Sequence, residues 1–145
     1  MKISTKGRYA LRLLLELALH DQGETTALKT LANRQEISEK YAEQIIGILT
    51  KAGYVKSVRG SSGGYYLSKD PKDYTVGDIL RLTEGSLSPV SCVECCEEAC
   101  NKMDDCVTIT VWQELSEAIN RVVDGVTLAD LVQRRREKDA ETQEQ

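Results

Sequence analysis

The chain has 145 residues, of which 41% are hydrophobic and 29% charged, and its formal net charge is −4. That length holds one domain of ordinary size, and the apolar share is enough for a core. No stretch approaches the roughly 18 apolar residues needed to cross a bilayer. The opening "MKISTKGRYALRLLLELALH" carries Arg8, Arg12 and Glu16 inside its apolar run and is followed by no small-residue cleavage site. It reads as an amphipathic helix rather than a secretory signal, and the expected location is the cytoplasm.

Ser4 or Thr5 caps this first helix, which runs to about His20 with Tyr9, Leu13, Leu14 and Leu17 at helical spacing. "DQGE" ends it. Thr25 or Thr26 opens a second, shorter helix over "ALKTLANRQ", and Ser38 stands at the N-cap of a third, "EKYAEQIIGILTKAG". The inward stripe expected on the third helix is Tyr41, Ile45, Ile48 and Leu49, with Gly53 closing it. The period then becomes extended: "YVKSVRG" and "GYYLSKD" flank "GSSGG" and predict a hairpin with a flexible tip. "TVGDILRLTEG" is a further helix with Thr75 and Asp78 at capping-box spacing. Residues 86–106 hold Pro89 and all five cysteines without a sustained period, and read as a loop. A long helix from about Thr108 to Asp124 follows, apolar at Val111, Trp112, Leu115, Ile119, Val122 and Val123, with Trp112 assigned to the core. Thr127 and Asp130 start a last short helix, "LADLVQRR". The tail "REKDAETQEQ" has no apolar anchor and is expected to be disordered.

Three helices followed by a hairpin is the order of a winged helix-turn-helix, so the fold class is mainly α with a small β-hairpin wing. The charge is divided accordingly. Residues 1–72 carry 12 Lys and Arg against 7 Asp and Glu, whereas residues 73–145 carry 7 against 16. Such asymmetry pairs a basic working half with an acidic partner half. The second motif helix of a helix-turn-helix enters the major groove, which makes Ser38, Lys40, Tyr41, Glu43 and Gln44 the candidate DNA-contacting residues. Glutamate accepts from the cytosine amino group and glutamine pairs with adenine. Arg59, on a glycine-flexed tip, suits the negative potential of a minor groove. Lys2, Lys6, Arg8, Lys56 and Lys69 are candidate phosphate contacts.

The cysteines, Cys92, Cys95, Cys96, Cys100 and Cys106, are an odd number in a polar loop, which excludes a complete set of internal disulfides. Thiolates are the donors that soft metals and iron-sulfur clusters require. A zinc site is the rival reading, supported by the two-residue gap between Cys92 and Cys95 and weakened by the lack of a second such pair. A metal-free thiol switch is the third, with acidic neighbours expected to raise the thiol pKa values. Nothing resembles a catalytic set. There is one histidine, His20, and no phosphate loop, so the chain is not read as an enzyme; a thiol oxidoreductase is the distant alternative.

"KGRYAL", "VRGSSGGYYL" and "TLADLV", in an order that spans Met1 to about Val132, resemble the Rrf-type bacterial transcription regulators, the IscR-, NsrR- and CymR-like family. The resemblance implies a homodimer joined through the long C-terminal helix and an operator of double-stranded DNA, contacted through Ser38, Tyr41, Glu43, Gln44 and Arg59. It implies a division into a winged helix-turn-helix over residues 1–84, a sensor loop over 85–107, a dimerisation helix with a short final helix over 108–134, and a tail over 135–145. It also implies an iron-sulfur cluster, [2Fe-2S] or [4Fe-4S], held by three cysteines with five residues between each neighbouring pair. Cys100 and Cys106 keep the second gap, while Glu94 stands where the first cysteine falls, so Cys92 is the preferred third ligand with Cys95 or Cys96 as a further one. The histidine of IscR-like members is matched by Ile109, and a carboxylate used by other members by Arg8.

Overall fold

The computed structural model describes residues 2–20, 23–94 and 100–145. Helix α1 (Thr5–Leu19) is capped by the Ser4 hydroxyl, which accepts from the Gly7 N–H. α1 runs through the middle of the molecule. Its Leu13, Leu14 and Leu17 share one buried cluster with Leu31, Ile45, Ile46, Leu49, Tyr74, Ile79, Leu128 and Val132. Among the described residues no helix is long and apolar enough to cross a membrane.

Helices α2 (Leu28–Gln35) and α3 (Glu39–Lys51) form the helix-turn-helix. Glu36 turns the corner in the left-handed region, at φ 55°, and its N–H donates to Asn33 O. The expected cap of α2 by Thr25 or Thr26 is not observed. Ala27 is the N-cap, and Thr26 instead exchanges two backbone hydrogen bonds with Tyr65, at 2.9 and 2.8 Å. The buried positions of α3 are Ala42, Ile45, Ile46 and Leu49, with Tyr41 and Ile48 half-buried, so Ile46 takes the place assigned to Ile48. Ser38 caps α3 as expected. At its other end Tyr54 N–H donates to Leu49 O and Gly53 N–H to Thr50 O, with Gly53 at φ 81°. These are the paired bonds of a Schellman close, and they require the glycine.

Strands β1 (Val55–Val58) and β2 (Gly64–Leu67) pair antiparallel, with Val55 opposite Leu67 and Val58 opposite Gly64. Helix α4 (Val76–Glu84) opens on a complete capping box of Thr75 and Asp78. After short 3₁₀ turns at Ser91–Val93 and Met103–Asp105 come α5 (Ile109–Asp124) and α6 (Leu128–Gln143). Two expectations differ here. Trp112 is half-buried rather than core, and Ile109 is the buried residue of α5. α6 continues well past Arg135 to Gln143, exposed throughout its outer half, where Gln133 bonds Glu137 and Arg135 bonds Asp139 one turn on. Such pairs support a helix that has no apolar anchor.

The segments are joined by few but specific contacts. Glu84 accepts from both the Ser4 hydroxyl, at 2.5 Å, and the Ser4 N–H, at 3.2 Å, so α4 is pinned to the start of α1. Gly7 lets them approach, because a Cβ there would collide with the Glu84 carboxylate. Arg81 grips Asp124 at 2.6 and 3.0 Å and Asn120 at 2.8 Å, tying α4 to α5. Thr75 and Thr127, each the cap of a helix, face one another in an antiparallel bridge, flanked by bonds from Val76 N–H to Val126 O and from Leu128 N–H to Tyr74 O.

Candidate nucleic-acid interface and cysteine loop

The N-terminal half of α3 presents Ser38, Lys40, Glu43 and Gln44 to solvent. Tyr41 lies half-buried between them, its ring edge-on to Tyr9 with centroids 6.0 Å apart, and the Arg12 guanidinium stands 5.2 Å from the centre of the Tyr9 ring. α3 therefore offers a polar edge of mixed donors and acceptors, braced from behind by α1. The chemistry suits base edges, where a carboxylate, an amide and an ammonium each discriminate differently.

The wing explains its own glycines. Gly60 adopts φ 121° and its carbonyl accepts from Gly63 N–H, making the tip. A Cβ on Gly63 would strike the Val58 carbonyl, and one on Gly64 would meet Thr26 O at 2.5 Å. Both obstacles are backbone and cannot rotate away. The tip is further held by the Thr25 hydroxyl, which donates to Ser62 O at 3.2 Å. Arg59 lies exposed at the start of this turn. The hairpin is thus fixed to the entrance of α2, a link that no local sequence signal carried. Among the candidate phosphate contacts, Lys2, Lys6, Arg8, Lys56 and Lys69 are all exposed.

In the cysteine loop, Cys92 is half-buried, Cys100 exposed and Cys106 half-exposed, and all three are free thiols. Cys95 and Cys96, with Glu97 and Glu98, lie outside the described residues. Among the described residues no three Cys, His, Asp or Glu side chains gather closely enough to hold a metal ion. The donor types suit a soft metal or a cluster, but Cys92, Cys100 and Cys106 as placed here do not close a ligand set. His20 pairs instead with Glu16, 3.6 Å away on the same helix, and Ile109, at the position matched to a histidine, is buried.

One thiol differs from expectation. Cys106 Sγ lies 3.2 Å from the Thr108 hydroxyl, just before the first turn of α5. That hydrogen bond, helped first by the Ile109 backbone N–H and least by that of Thr108, holds the Cys106 pKa below the ordinary thiol value, against an opposing effect of desolvation. The acidic residues nearby were expected to raise it, but direct donors at a helix start outweigh dispersed, solvated charge.

Three exposed large apolar side chains lie on α5. Val111, Leu115 and Val122 are 54%, 39% and 61% exposed, and they share one face with Ala118 and Ile119. An open apolar hollow beside them is lined by Ile3, Leu80, Ile119, Val122 and Val123.

A recognition helix, a rooted wing and an outward apolar helix define a winged-helix DNA-binding regulator. Residues 3–134 match the Rrf2 family, described as iron-dependent transcriptional regulators, and the chain belongs to that family. It is 44% identical over 132 residues to the HTH-type transcriptional regulator CymR of Bacillus subtilis, covering 90% of this chain and 89% of that one. It is 42% identical over 134 residues to protein rrf2 of Nitratidesulfovibrio vulgaris, covering 91% and 87%. Among solved structures, CymR, the global cysteine regulator of B. subtilis, superposes with a TM-score of 0.78 at 40% identity, covering 92% of this chain and 98% of that one. IscR of T. potens gives 0.74 at 41% identity, covering 93% and 88%. The protein is a transcriptional regulator and not an enzyme.

Proposed function

We propose that the chain acts as a homodimer on a double-stranded DNA operator, reading bases with Ser38, Lys40, Tyr41, Glu43 and Gln44 of α3 and the minor groove with Arg59, under control of an iron-sulfur cluster at the cysteine loop. The observation that carries the DNA-contact assignment is the wing. Its two glycines are required by backbone contacts with Val58 and Thr26, so the turn is built to hold one shape, and what it displays is an arginine. The dimer reading rests on the α5 face, since contiguous apolar exposure on a small domain marks an interaction surface. A two-fold pair of winged domains places two α3 helices on half-sites about one DNA turn apart.

The cluster reading is supported by the iron-dependent description of the family and by the thiolate-favouring position of Cys106. When bound, a cluster supplies a redox- and iron-responsive state, and Cys92, Cys100 and Cys106, with Cys95 or Cys96, are the residues that would hold it. A zinc site or a metal-free thiol switch is the second reading, the first supported by the two-residue gap between Cys92 and Cys95 and the second by the free thiols of Cys92, Cys100 and Cys106.

The test selects a binding duplex from a randomised library and measures affinity on it across a salt series. Arg59→Ala is expected to weaken binding about tenfold or more; unchanged affinity overturns the wing assignment. Iron, sulfide and zinc are then measured on protein purified without oxygen. Matched iron and sulfide support the cluster. Stoichiometric zinc, or no metal, replaces it with the second reading.

A further inference from the structure

Tyr74 is completely buried, yet its hydroxyl has three polar neighbours, all at the root of the wing. It donates to the Tyr54 carbonyl at 2.7 Å, immediately before β1, accepts from the Lys69 N–H at 3.1 Å, just after β2, and lies 3.3 Å from the Ser68 hydroxyl. Ser68 in turn donates to the Gly53 carbonyl. One phenol therefore crosslinks the chain entering the hairpin to the chain leaving it. The Lys69 ammonium lies over the rings of Tyr54 and Tyr74, 5.2 and 5.9 Å from their centres, which adds a second tie across the same junction. From its other side the Tyr74 carbonyl accepts from Leu128 N–H, the first residue of α6.

A two-stranded hairpin has little stability of its own, and its direction is set by whatever fixes its ends. Here the tip is held by Thr26 and the root by Tyr74. We propose that Tyr74 is a positioning residue for DNA recognition: its hydroxyl sets the angle at which the wing carries Arg59, while its backbone fixes that root to the start of α6. This rests on the reading that Arg59 touches DNA. The hydroxyl is the informative group, because Tyr74→Phe keeps the ring in the core and keeps the Leu128 bond.

The experiment is a double-mutant cycle on the selected duplex, comparing the wild type, Tyr74→Phe, Arg59→Ala and the double variant. Tyr74→Phe is expected to lose about fivefold in affinity and the double variant to bind no worse than Arg59→Ala alone, because a misdirected wing has nothing further to lose once its arginine is gone. Additive losses, or wild-type affinity in Tyr74→Phe, overturn the positioning role and leave the Arg59 reading intact. An Arg59→Ala variant that binds like wild type overturns both. A structural check is amide exchange: the Lys69 N–H is expected to exchange faster in Tyr74→Phe while the Tyr65 N–H, held by Thr26, does not. Equal acceleration at both sites means general loosening and also overturns the proposal. Should Tyr74→Phe not fold, Ser68→Ala removes a smaller part of the same root, with the same non-additivity expected against Arg59→Ala and the same overturning result.

Discussion

Replacing Val122 with glutamate tests the proposed dimer surface with least damage to the protomer. Val122 is 61% exposed on α5, so the single chain has little to lose at this position. Full burial of a valine side chain stabilises by about 1.5–3 kcal/mol, and the part still open to a partner is worth about 1–2 kcal/mol per copy. A two-fold interface counts each residue twice, which gives about 2–4 kcal/mol for the pair. Two carboxylates desolvated in an apolar seam add to the loss. The dimerisation constant is therefore expected to weaken by about a hundredfold or more, since 1.4 kcal/mol is a factor of ten. Sedimentation equilibrium over a concentration series reads that constant, and circular dichroism confirms the helix content. Glutamate is a good helix former, so the spectrum is expected to stay unchanged. A Val122→Glu protein that dimerises as tightly as wild type, with Leu115→Glu doing the same, refutes the assignment of this face.

Gly64→Ala is expected to detach the wing from α2: its Cβ would meet Thr26 O at 2.5 Å, and losing the two Thr26–Tyr65 bonds costs about 1–3 kcal/mol, read by denaturant melts alongside weaker DNA binding. Alkylation of Cys106 is expected to have its pH midpoint below that of an ordinary thiol, and Thr108→Val to move it upward; a midpoint unmoved by the substitution removes the Thr108 hydroxyl as cause. The Arg81 hydrogen bond holds the Asp124 carboxyl below its usual range, so its stabilisation is present above the unfolded value and is lost as pH falls through the folded one. Asp124→Asn is accordingly expected to cost up to about 1 kcal/mol at neutral pH, and the difference from wild type is expected to vanish in acid. Cys100→Ser and Cys106→Ser are each expected to lower the metal content of anaerobically purified protein, and unchanged content excludes both as ligands.

What was legible in the sequence is what is local. Ser38 three residues before Tyr41, and the Thr-x-x-Asp pairs at 75–78 and 127–130, are caps whose donors and acceptors lie within one turn, and all three are found. The hairpin was marked by its glycines and its change of period. Thr26 was misread because a threonine before a helix resembles a cap, whereas its partner, Tyr65, lies in a strand of the wing. Ile46 and Ile48 lie about 200° apart around α3, and Ile46, four residues after Ala42 and three before Leu49, is the one on the buried stripe. Trp112 was expected in the core as part of the α5 stripe, whereas it is half-buried and Ile109 is the buried residue of that helix. The role proposed for Tyr74 had no signal at all, since one aromatic residue between Asp73 and the capping Thr75 is a common string. In the cysteine loop, spacing identified the donor atoms but not their approach to one another.

The magnitudes bear on where control is exerted. α5 is held at its C-terminal end by three charged or polar contacts from Arg81 and by the backbone bridge between Thr75 and Thr127. At its N-terminal end Thr108 makes no side-chain cap, and its hydroxyl faces the Cys106 sulfur. α5 has 16 residues and so spans about 24 Å, with buried Ile109 at its N-terminal end and the Arg81 contacts at its C-terminal end. A tenfold change in operator affinity requires only about 1.4 kcal/mol of difference between two states. That is the size of a single capping interaction, about 1 kcal/mol, and smaller than the cost of breaking the Arg81 and bridge contacts together. Chemistry at Cys106 that withdraws or restores the Thr108 hydroxyl would change a contact of that size at the start of α5. From the C-terminal end of α5 a chain of contacts runs through Arg81 to α4, through Glu84 to Ser4, and along α1 to the Tyr9–Tyr41 pair behind α3.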